Sequence, residues 1–290
     1  MKQYLLLSFI FLQFICLGQK KSTPRTDFNT LYVCLDSVSY LNLFQNTYLK
    51  DTLSLCWEAE QETTTDSYSG KYLIGEASTI EFFQPKKNIQ LGDNFGDFGI
   101  EFKTRKINML STILAKCNDL NYLIDTSTTI MLLDSSEINW YETISFKNRT
   151  NELAILEYQK EYLENLGFTN EQMNKSMNFK QFNSFLSNGK KYPRQFEKVS
   201  YIKLYADKKI IDDLQKFAKL NNCKKKANTF SNGDIIIEYE EVEKLPQFPI
   251  QEIAISLVND QASRKEKISE HLSLKIEGKK ARFIFKNVNE

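Results

Sequence analysis

Histidine is almost missing from this sequence, and several other residue types are scarce. The 290 residues include one histidine, His271, together with 10 glycines and 5 prolines. A zinc site built on imidazole, or a serine or cysteine nucleophile paired with histidine, has little support in such a chain. No Cys-x-x-Cys pair and no glycine-rich phosphate loop occurs either. Any chemistry must therefore depend mainly on carboxylates and aromatic rings.

The chain also lacks an excess of charge of either sign. It has 38 basic and 37 acidic residues, a net charge of +1. This balance provides no overall field that would attract nucleic acid or an anionic membrane, so we expect no nucleic-acid partner. With 41% hydrophobic and 26% charged residues the chain has the composition of a folded protein. Its length predicts about two domains.

Long apolar runs are absent except at the beginning of the chain. Residues 4–17 are apolar, Lys2 precedes them and Gly18 follows. This pattern is typical of a signal peptide, so we predict that residues 1–18 are removed and that the protein is exported to the periplasm or beyond. The run is shorter than the roughly 20 residues of a membrane-spanning helix, and no stable membrane span is expected. Residues 19–27 are a polar leader.

Export would leave four cysteines in an oxidising compartment: Cys34, Cys56, Cys117 and Cys223. Cys34 and Cys56 fall in strands that we predict to be neighbours, so a disulfide between them is one interpretation. Burial of free thiols is the other, because cysteine packs well as a small apolar side chain.

Residues 28–85 carry the hydrophobic pattern of one module. Alternating apolar residues predict strands, and apolar residues three or four positions apart predict helices. The pattern gives a strand at 30–36, a helix at 37–53, and strands at 55–64, 72–76 and 79–83. The order is βαβββ.

Residues 96–160 repeat this order less clearly. The pattern gives a strand at 98–103, a helix at 106–117, and strands at 140–146 and 153–158. A period of about 70 residues indicates two tandem modules. We therefore predict an α+β fold with two βαβββ modules.

A second α+β region follows a boundary. Residues 161–195 are rich in asparagine, lysine and phenylalanine and predict an irregular or short-helical connector. Residues 196–290 predict further strands, a helix at 208–220 and a closing hairpin around Gly278.

Three stretches of the first module, and the start of the second, resemble a known superfamily. They are the strand Leu31-Tyr-Val-Cys-Leu-Asp36, the stretches Gly70-Lys-Tyr-Leu-Ile-Gly75 and Thr79-Ile-Glu-Phe-Phe-Gln-Pro85, and Phe98-Gly-Ile-Glu-Phe102. Over about residues 28–160 the chain resembles the vicinal oxygen chelate superfamily of glyoxalases, bleomycin-resistance proteins and extradiol dioxygenases, and within it an uncharacterised secreted branch. The resemblance implies that curved sheets from the two modules enclose a cleft.

Metal enzymes of that superfamily place histidine or glutamate on the first and last strands of each module. Glu81 lies on the last strand of the first module, where alternation puts it on one face with Thr79 and Phe83. Glu157 can be matched to the last strand of the second module, although its register is ambiguous by one residue. Thr30 stands where a histidine ligand is expected. The resemblance thus implies Glu81 and Glu157 as metal ligands, suited to Mg²⁺ or Ca²⁺ rather than Zn²⁺.

A second hypothesis gives the same two glutamates a catalytic role without a metal. Glu81 would act as a general base if apolar walls raise its pKa, with Glu157 as its partner acid. In a third hypothesis Glu81 has no catalytic role and its carboxylate only makes an ordinary hydrogen bond on the strand.

Aromatic residues on the predicted strands would line the cleft and bind a ligand. These candidates are Tyr32, Trp57, Tyr72, Phe83, Trp140 and Tyr158.

The leading hypothesis is an exported glyoxalase-like protein that binds a small organic molecule between its modules, without metal chemistry and without a cofactor. The alternative is a divalent-metal-dependent lyase, isomerase or dioxygenase. A non-catalytic envelope protein with an interaction surface in residues 196–290 is a second alternative. The sequence leaves the oligomeric state open.

Overall fold

The computed structural model describes residues 25–64, 67–86, 91–133, 136–189 and 194–287. The predicted signal peptide, its cleavage point at Gly18 and most of the leader lie outside the described residues. Within the described ranges the chain forms two β-sheets that share one hydrophobic core. None of the helices in these ranges is both long enough and apolar enough to cross a membrane.

The first module has the predicted element order. Strand β1 (Thr26–Cys34) leads into helix α1 (Ser37–Leu43), and strands β2 (Leu55–Glu62), β3 (Ser67–Ile74) and β4 (Thr79–Phe83) follow. Asp36 caps α1 by accepting a hydrogen bond from the amide of Ser39 at 2.9 Å. A short π-helical turn precedes β2.

The second module has the same order with one strand more than the sequence indicated. It consists of β5 (Phe98–Thr104), α2 (Leu110–Asp119), β6 (Asp125–Leu133), β7 (Ser136–Lys147) and β8 (Asn151–Tyr158). Strand β6 escaped prediction because its first half, Asp-Thr-Ser-Thr-Thr, is polar and exposed and has no apolar alternation. Its pairing with β7 defines it as a strand.

The two modules form one eight-stranded sheet in the order β2-β3-β4-β1-β5-β8-β7-β6. In each module the first and last strands pair in parallel, β1 with β4 and β5 with β8. The antiparallel pair of β1 and β5 joins the modules. The predicted α+β class with two βαβββ modules is confirmed.

The sheet curls until its two edge strands meet. Thr63, next to β2, forms an antiparallel bridge with Met131 of β6, and the amide of Thr64 donates to the carbonyl of Ile130 at 3.3 Å. An eight-stranded barrel has an interior just wide enough for side chains or one small ligand. We call the concave side of this incomplete barrel the inner face and the opposite side the outer face.

The outer face carries the apolar core. Its strand residues Leu31, Val33, Ile80, Phe82, Ile100 and Phe102 are fully buried. Phe82 meets Phe283 of the second sheet with ring centroids 6.0 Å apart. Phe102 meets Phe217 edge-on at 5.2 Å. Apolar burial on this side of the sheet is therefore the main source of stability.

Three short helices connect the two sheets: α3 (Lys160–Asn165), α4 (Asn170–Asn174) and α5 (Phe179–Leu186). Thr169 and Asn178 each begin a helix with a reciprocal capping box. Leu163, Phe168, Met173 and Phe182 form a small separate core between these helices and the end of the barrel. Phe182 stacks on Tyr158 of β8 at 5.4 Å, so α5 covers part of the inner face.

The C-terminal region contains a third copy of the module. It runs through β9 (Phe196–Ala206), α6 (Lys208–Leu220), β10 (Lys224–Lys226), β11 (Thr229–Ser231) and β12 (Ile236–Glu241). Strands β9 and β12 pair in parallel, like the first and last strands of the other modules. A long hairpin of β13 (Ile250–Lys267) and β14 (Leu272–Phe285) completes the six-stranded sheet.

The sequence predicted the turn of this hairpin around Gly278, and this prediction is wrong. Strand β14 continues through Gly278, which has a φ of 57° and lies opposite Gln261, where the register shifts. Glycine accommodates the irregularity because it adopts positive φ without strain. The chain instead turns at residues 268–271.

The disulfide considered between Cys34 and Cys56 does not form. Both thiols are free, as are those of Cys117 and Cys223. Strands β3 and β4 lie between β2 and β1. Three strand spacings amount to roughly 14 Å, whereas the Cα atoms of a disulfide lie within about 7 Å of each other.

Candidate functional site on the inner face

Two glutamates face the barrel interior on either side of β1. Glu81 of β4 lies opposite Tyr32, and Glu101 of β5 lies opposite Thr30. Both side chains are only partly exposed. We call Glu81 and Glu101 the acid pair.

The acid pair is held in an environment that disfavours negative charge. Burial raises the pKa of Glu81 to about 7. Burial raises the pKa of Glu101 well above its usual range, and the charges of Glu81 and Glu152 add to this effect. In the part of the chain that the structure describes, neither carboxylate has an ion-pair partner. The pair therefore retains at least one proton at neutral pH.

Tyrosines surround the acid pair: Tyr32, Tyr68, Tyr72, Tyr141 and Tyr158. Burial is the main cause of the raised pKa of each phenol, and the charge of Glu81 or Glu101 contributes in every case. The charge of Tyr141 contributes to the raised pKa of Tyr68 although their strands lie far apart in the sheet order. The curl of the sheet brings them to opposite sides of the interior.

Two glycines leave room for these rings. A Cβ atom on Gly99 would lie 1.9 Å from the ring of Tyr32, and one on Gly70 would lie 2.7 Å from Phe83. Neither distance is compatible with a side chain, so the ring of Tyr32 lies directly over the backbone of β5. Its hydroxyl donates to Glu152 at 3.4 Å.

Five of the six predicted aromatic residues share this face. Tyr32, Tyr72 and Tyr158 are among the tyrosines around the acid pair. Phe83 packs between Tyr32 at 6.2 Å and Tyr68 at 5.6 Å. Trp57 lies at the edge strand, 5.6 Å from Tyr72, and is 52% exposed. The apolar walls that the sequence indicated are thus present.

Trp140, the sixth, is placed elsewhere. Its ring packs against Tyr162 of α3 at 5.9 Å. The next residue, Tyr141, lies opposite Tyr158 on the inner face, where the charges of the acid pair contribute to its raised pKa. Trp140 therefore supports the connector helices.

Glu157 is not brought to Glu81. Its carboxylate accepts hydrogen bonds from the amides of Asn108, Met109 and Leu110, at 2.7 to 2.9 Å, and from the hydroxyl of Thr104 at 3.0 Å. These amides begin α2, on the outer side of the sheet. Glu157 thus caps a helix instead of pairing with Glu81 as ligand or partner acid.

The donor set fits a metal ion poorly. No imidazole faces the interior, and Glu157 uses both oxygens for the helix cap. Within the described ranges, no three histidine, cysteine, aspartate or glutamate side chains converge closely enough to hold a metal. Zn²⁺ is held mostly by thiolate and imidazole ligands, which the described residues of this face do not offer, whereas Mg²⁺, Ca²⁺ and Mn²⁺ accept carboxylates.

Sequence reasoning did not single out Glu152, Tyr68 or Tyr141. Alternation along β8 from Tyr158 would place Glu152 on the inner face. Tyr68 lay outside the strand predicted at 72–76, and its approach to Tyr141 depends on closure of the sheet between β2 and β6.

Several solved structures are similar to the chain at low identity. The 2,3-dioxygenase LapB from Pseudomonas sp. KL28 is 11% identical with a TM-score of 0.41, over 90% of this chain and 91% of that one. The Mn(II)-bound glyoxalase from Novosphingobium aromaticivorans is 7% identical with a TM-score of 0.41, over 88% and 79%. Such scores carry no argument about activity.

A further similar structure is a xylose isomerase-like TIM barrel/4-hydroxyphenylpyruvate dioxygenase fusion protein, with 11% identity and a TM-score of 0.41. The match covers 78% of this chain but only 34% of that protein. No curated protein matches the sequence. A family model described as "Family of unknown function (DUF5829)" matches residues 28–285.

Proposed function

The chain belongs to the family of unknown function DUF5829, and from its site we propose that it binds a small organic molecule on the inner face of the barrel. The observation that carries the proposal is the acid pair, two partly exposed carboxyl groups with raised pKa values inside a wall of tyrosines. Perturbed carboxyl groups in an enclosed aromatic site are typical of functional sites.

The chemistry of the face favours an apolar body that carries a hydroxyl or amino group. Aromatic walls offer the rings of Tyr32, Tyr72 and Phe83 for stacking. The acid pair donates a hydrogen bond from its protonated oxygen and accepts one at its ionised oxygen. An anionic ligand would be repelled by the acid pair and by Glu152.

Three probes of one size test this preference: benzylamine, benzyl alcohol and benzoate, added to the purified protein in a thermal-unfolding assay. We expect the amine and the alcohol to raise Tm and benzoate to leave it unchanged. A ligand at a concentration of a hundred times its Kd raises the free energy of unfolding by about 2.7 kcal/mol. Each kcal/mol raises Tm by roughly 2–4 °C in a protein of this size class. Stabilisation by benzoate alone would contradict the proposal.

Two variants localise the effect. Glu81→Gln should weaken the stabilisation by benzylamine, because it removes one ionised partner of the amine. Glu62→Gln, on the exposed side of β2, is the matched control and should bind like the parent protein. Equal loss in both variants would place the ligand elsewhere.

Proton transfer to the bound molecule is a second candidate function. A protonated and an ionised carboxyl in one pair supply a general acid and a general base, with Glu81 poised near pH 7. Exchange of acidic C–H protons of a bound ketone in D₂O, measured by NMR, tests this function. Exchange that persists in Glu81→Gln would exclude Glu81 as the base.

A divalent-metal-dependent reaction is the competing account. The thermal assay is repeated with MgCl₂, CaCl₂ and MnCl₂ in place of the organic probes. A Tm increase with one of these salts that Glu81→Gln abolishes would favour metal chemistry over the present proposal.

Export remains part of the proposal and is supported by the charged start and apolar run of residues 1–18. N-terminal sequencing of the protein recovered from its native host is expected to begin at Gln19. Recovery of the chain with Met1 or Lys2 still attached would contradict export by this route.

A further inference from the structure

Lys103 is one of two lysines in the described ranges that are almost fully buried. It is 4% exposed, and Lys71 is 5% exposed. The amine of Lys71 donates to the carbonyl of Tyr40 at 2.9 Å. Within the residues that the structure describes, the amine of Lys103 makes neither a hydrogen bond nor an ion pair. A buried amine without an acceptor is costly, so it calls for a functional explanation.

Three aromatic rings surround the amine of Lys103. Its Nζ atom lies 3.6 Å from the ring centroid of Phe182, 5.0 Å from that of Tyr158 and 5.5 Å from that of Phe179. Two of these rings belong to α5, which covers this end of the inner face. The rings cover most of the amine, and none of them accepts a conventional hydrogen bond from it within the described residues.

The carboxylate that favours the charged form of Lys103 already has another partner. Asp27 lies beside Lys103 in the sheet and favours its charged form. The guanidinium of Arg105 binds both oxygens of Asp27, with Nε at 2.9 and 3.0 Å. Burial prevails over this attraction and lowers the pKa of Lys103 to about 7. A large share of the amine is therefore unprotonated at neutral pH.

Lys103 lines a solvent-open cleft between the ends of β5 and β8 and the connector helices, and so do Tyr158 and Phe182, two of the residues whose rings surround its amine. The apolar wall of the cleft includes Leu163, Phe168, Met173 and Phe182, and its rim carries Arg105 and Lys106. Glu157 also lines the cleft, but four hydrogen bonds already engage it. Because Arg105 is paired with Asp27, Lys106 is the rim cation left for an anionic ligand, and its amine makes no ion pair within the described residues.

We propose that Lys103 forms an imine with a 2-oxo acid that enters this cleft with an apolar side chain against the helices and its carboxylate at the basic rim. The lone pair of Nζ attacks the carbonyl carbon, and the carbonyl oxygen leaves as water with the two amine protons. A C=N bond replaces the C=O bond, and no oxidant or reductant takes part. Lys103 lies two residues beyond Glu101 on the same face of β5 and shares Tyr158 with the acid pair, but the imine does not depend on the proposed function there.

The test uses phenylpyruvate as the probe and sodium cyanoborohydride, which reduces an imine to a stable secondary amine. Labelled lysines of the folded protein are identified by peptide mass spectrometry at pH 7. We expect Lys103 to be labelled at least tenfold faster than the exposed Lys279, because an ordinary lysine is less than about 0.1% unprotonated at this pH. Equal labelling of both lysines would overturn the proposal.

Two matched variants assign the label. Lys103→Met fits the aromatic surroundings and should abolish the fast labelling, whereas Lys71→Met removes the other buried amine and should not. Glu81→Gln should also leave labelling unchanged, which separates this test from that of the acid pair. Fast labelling that survives Lys103→Met would overturn the assignment.

Two further measurements do not depend on the folding of a variant. In the parent protein, the labelling rate of Lys103 should level off above about pH 7, while that of free Nα-acetyl-lysine, measured in parallel, keeps rising with pH. A parallel rise of both rates up to pH 9 would overturn the proposal. Phenylacetone, the neutral ketone of the same shape, should show less than a tenth of the Lys103 to Lys279 rate ratio of phenylpyruvate, and an equal ratio would overturn the preference for oxo acids.

Discussion

The two sheets use the same βαβββ module but treat charge on their open faces in opposite ways. On the second sheet, Lys203 pairs with Glu240 at 3.6 Å and Arg282 pairs with Glu252 at 3.5 Å. The inner face of the first sheet holds Glu81 and Glu101, neither of which has an ion pair within the described ranges. On a face that is simply exposed to solvent, we expect acidic and basic side chains to pair with each other. Uncompensated carboxyl groups in an enclosed barrel are the difference on which we base the proposed ligand site of the first sheet.

The largest expected effect separates the two faces of one strand. Phe82 is fully buried on the outer face against Phe283, whereas its neighbour Phe83 is half-buried on the inner face. Phe82→Ala should cost about 3–5 kcal/mol of unfolding free energy through the cavity it leaves. Phe83→Ala should cost less than half as much. Chemical denaturation measures both, and equal losses would contradict the division between the faces.

A smaller loss is expected from Gly99→Ala on the inner face. The new Cβ atom would overlap the ring of Tyr32, so that the ring must leave its position. Overpacking of this kind costs about 1–3 kcal/mol. The variant should also lose stabilisation by benzylamine, because the displaced ring occupies the interior. A Gly99→Ala protein that binds the probe unchanged would show that Tyr32 does not line the binding site.

The raised pKa values of the acid pair should make the free energy of unfolding depend on pH. Raised pKa values mean that the folded state binds more protons than the unfolded state above about pH 4.5. The stabilisation from the protonated acid pair is thus complete below pH 4.5 and is lost as pH rises through about 7.

Glu101→Gln removes one member of the pair and its repulsion. We expect it to raise the unfolding free energy at pH 8 by roughly 1–3 kcal/mol and to change it little at pH 4.5. Glu240→Gln on the second sheet is the matched control and should stay within about 0.5 kcal/mol at both values. Urea denaturation at the two pH values checks this, and equal behaviour of the variants would remove the distinction between the sheets.

Much of this architecture follows from local sequence patterns. Alternation placed Glu81 with Thr79 and Phe83, and the element order gave both modules. The register of Glu157 could not be fixed because a shift of one residue moves a side chain to the other face. The order of the strands in the sheet could not be predicted either. Cys34 and Cys56, which we expected on neighbouring strands, lie on strands separated by two others.

The enclosed character of the site was beyond sequence reasoning for a different reason. It depends on the contact between Thr63 and Met131, which closes the curled sheet. Those residues are 68 positions apart and carry no shared pattern. Without this closure Tyr68 and Tyr141 would not face each other, and the acid pair would lie on an open sheet.

The most direct test of the central claim is a side-chain carboxyl titration by ¹³C NMR on protein labelled at glutamate, with Glu81→Gln and Glu101→Gln for assignment. We expect two coupled titrations, that of Glu81 at about pH 7 and that of Glu101 well above the usual range of a glutamate pKa. Titration of both Glu81 and Glu101 near pH 4.5 would contradict this expectation, because the acid pair would then be fully ionised and solvated like the surface of the second sheet.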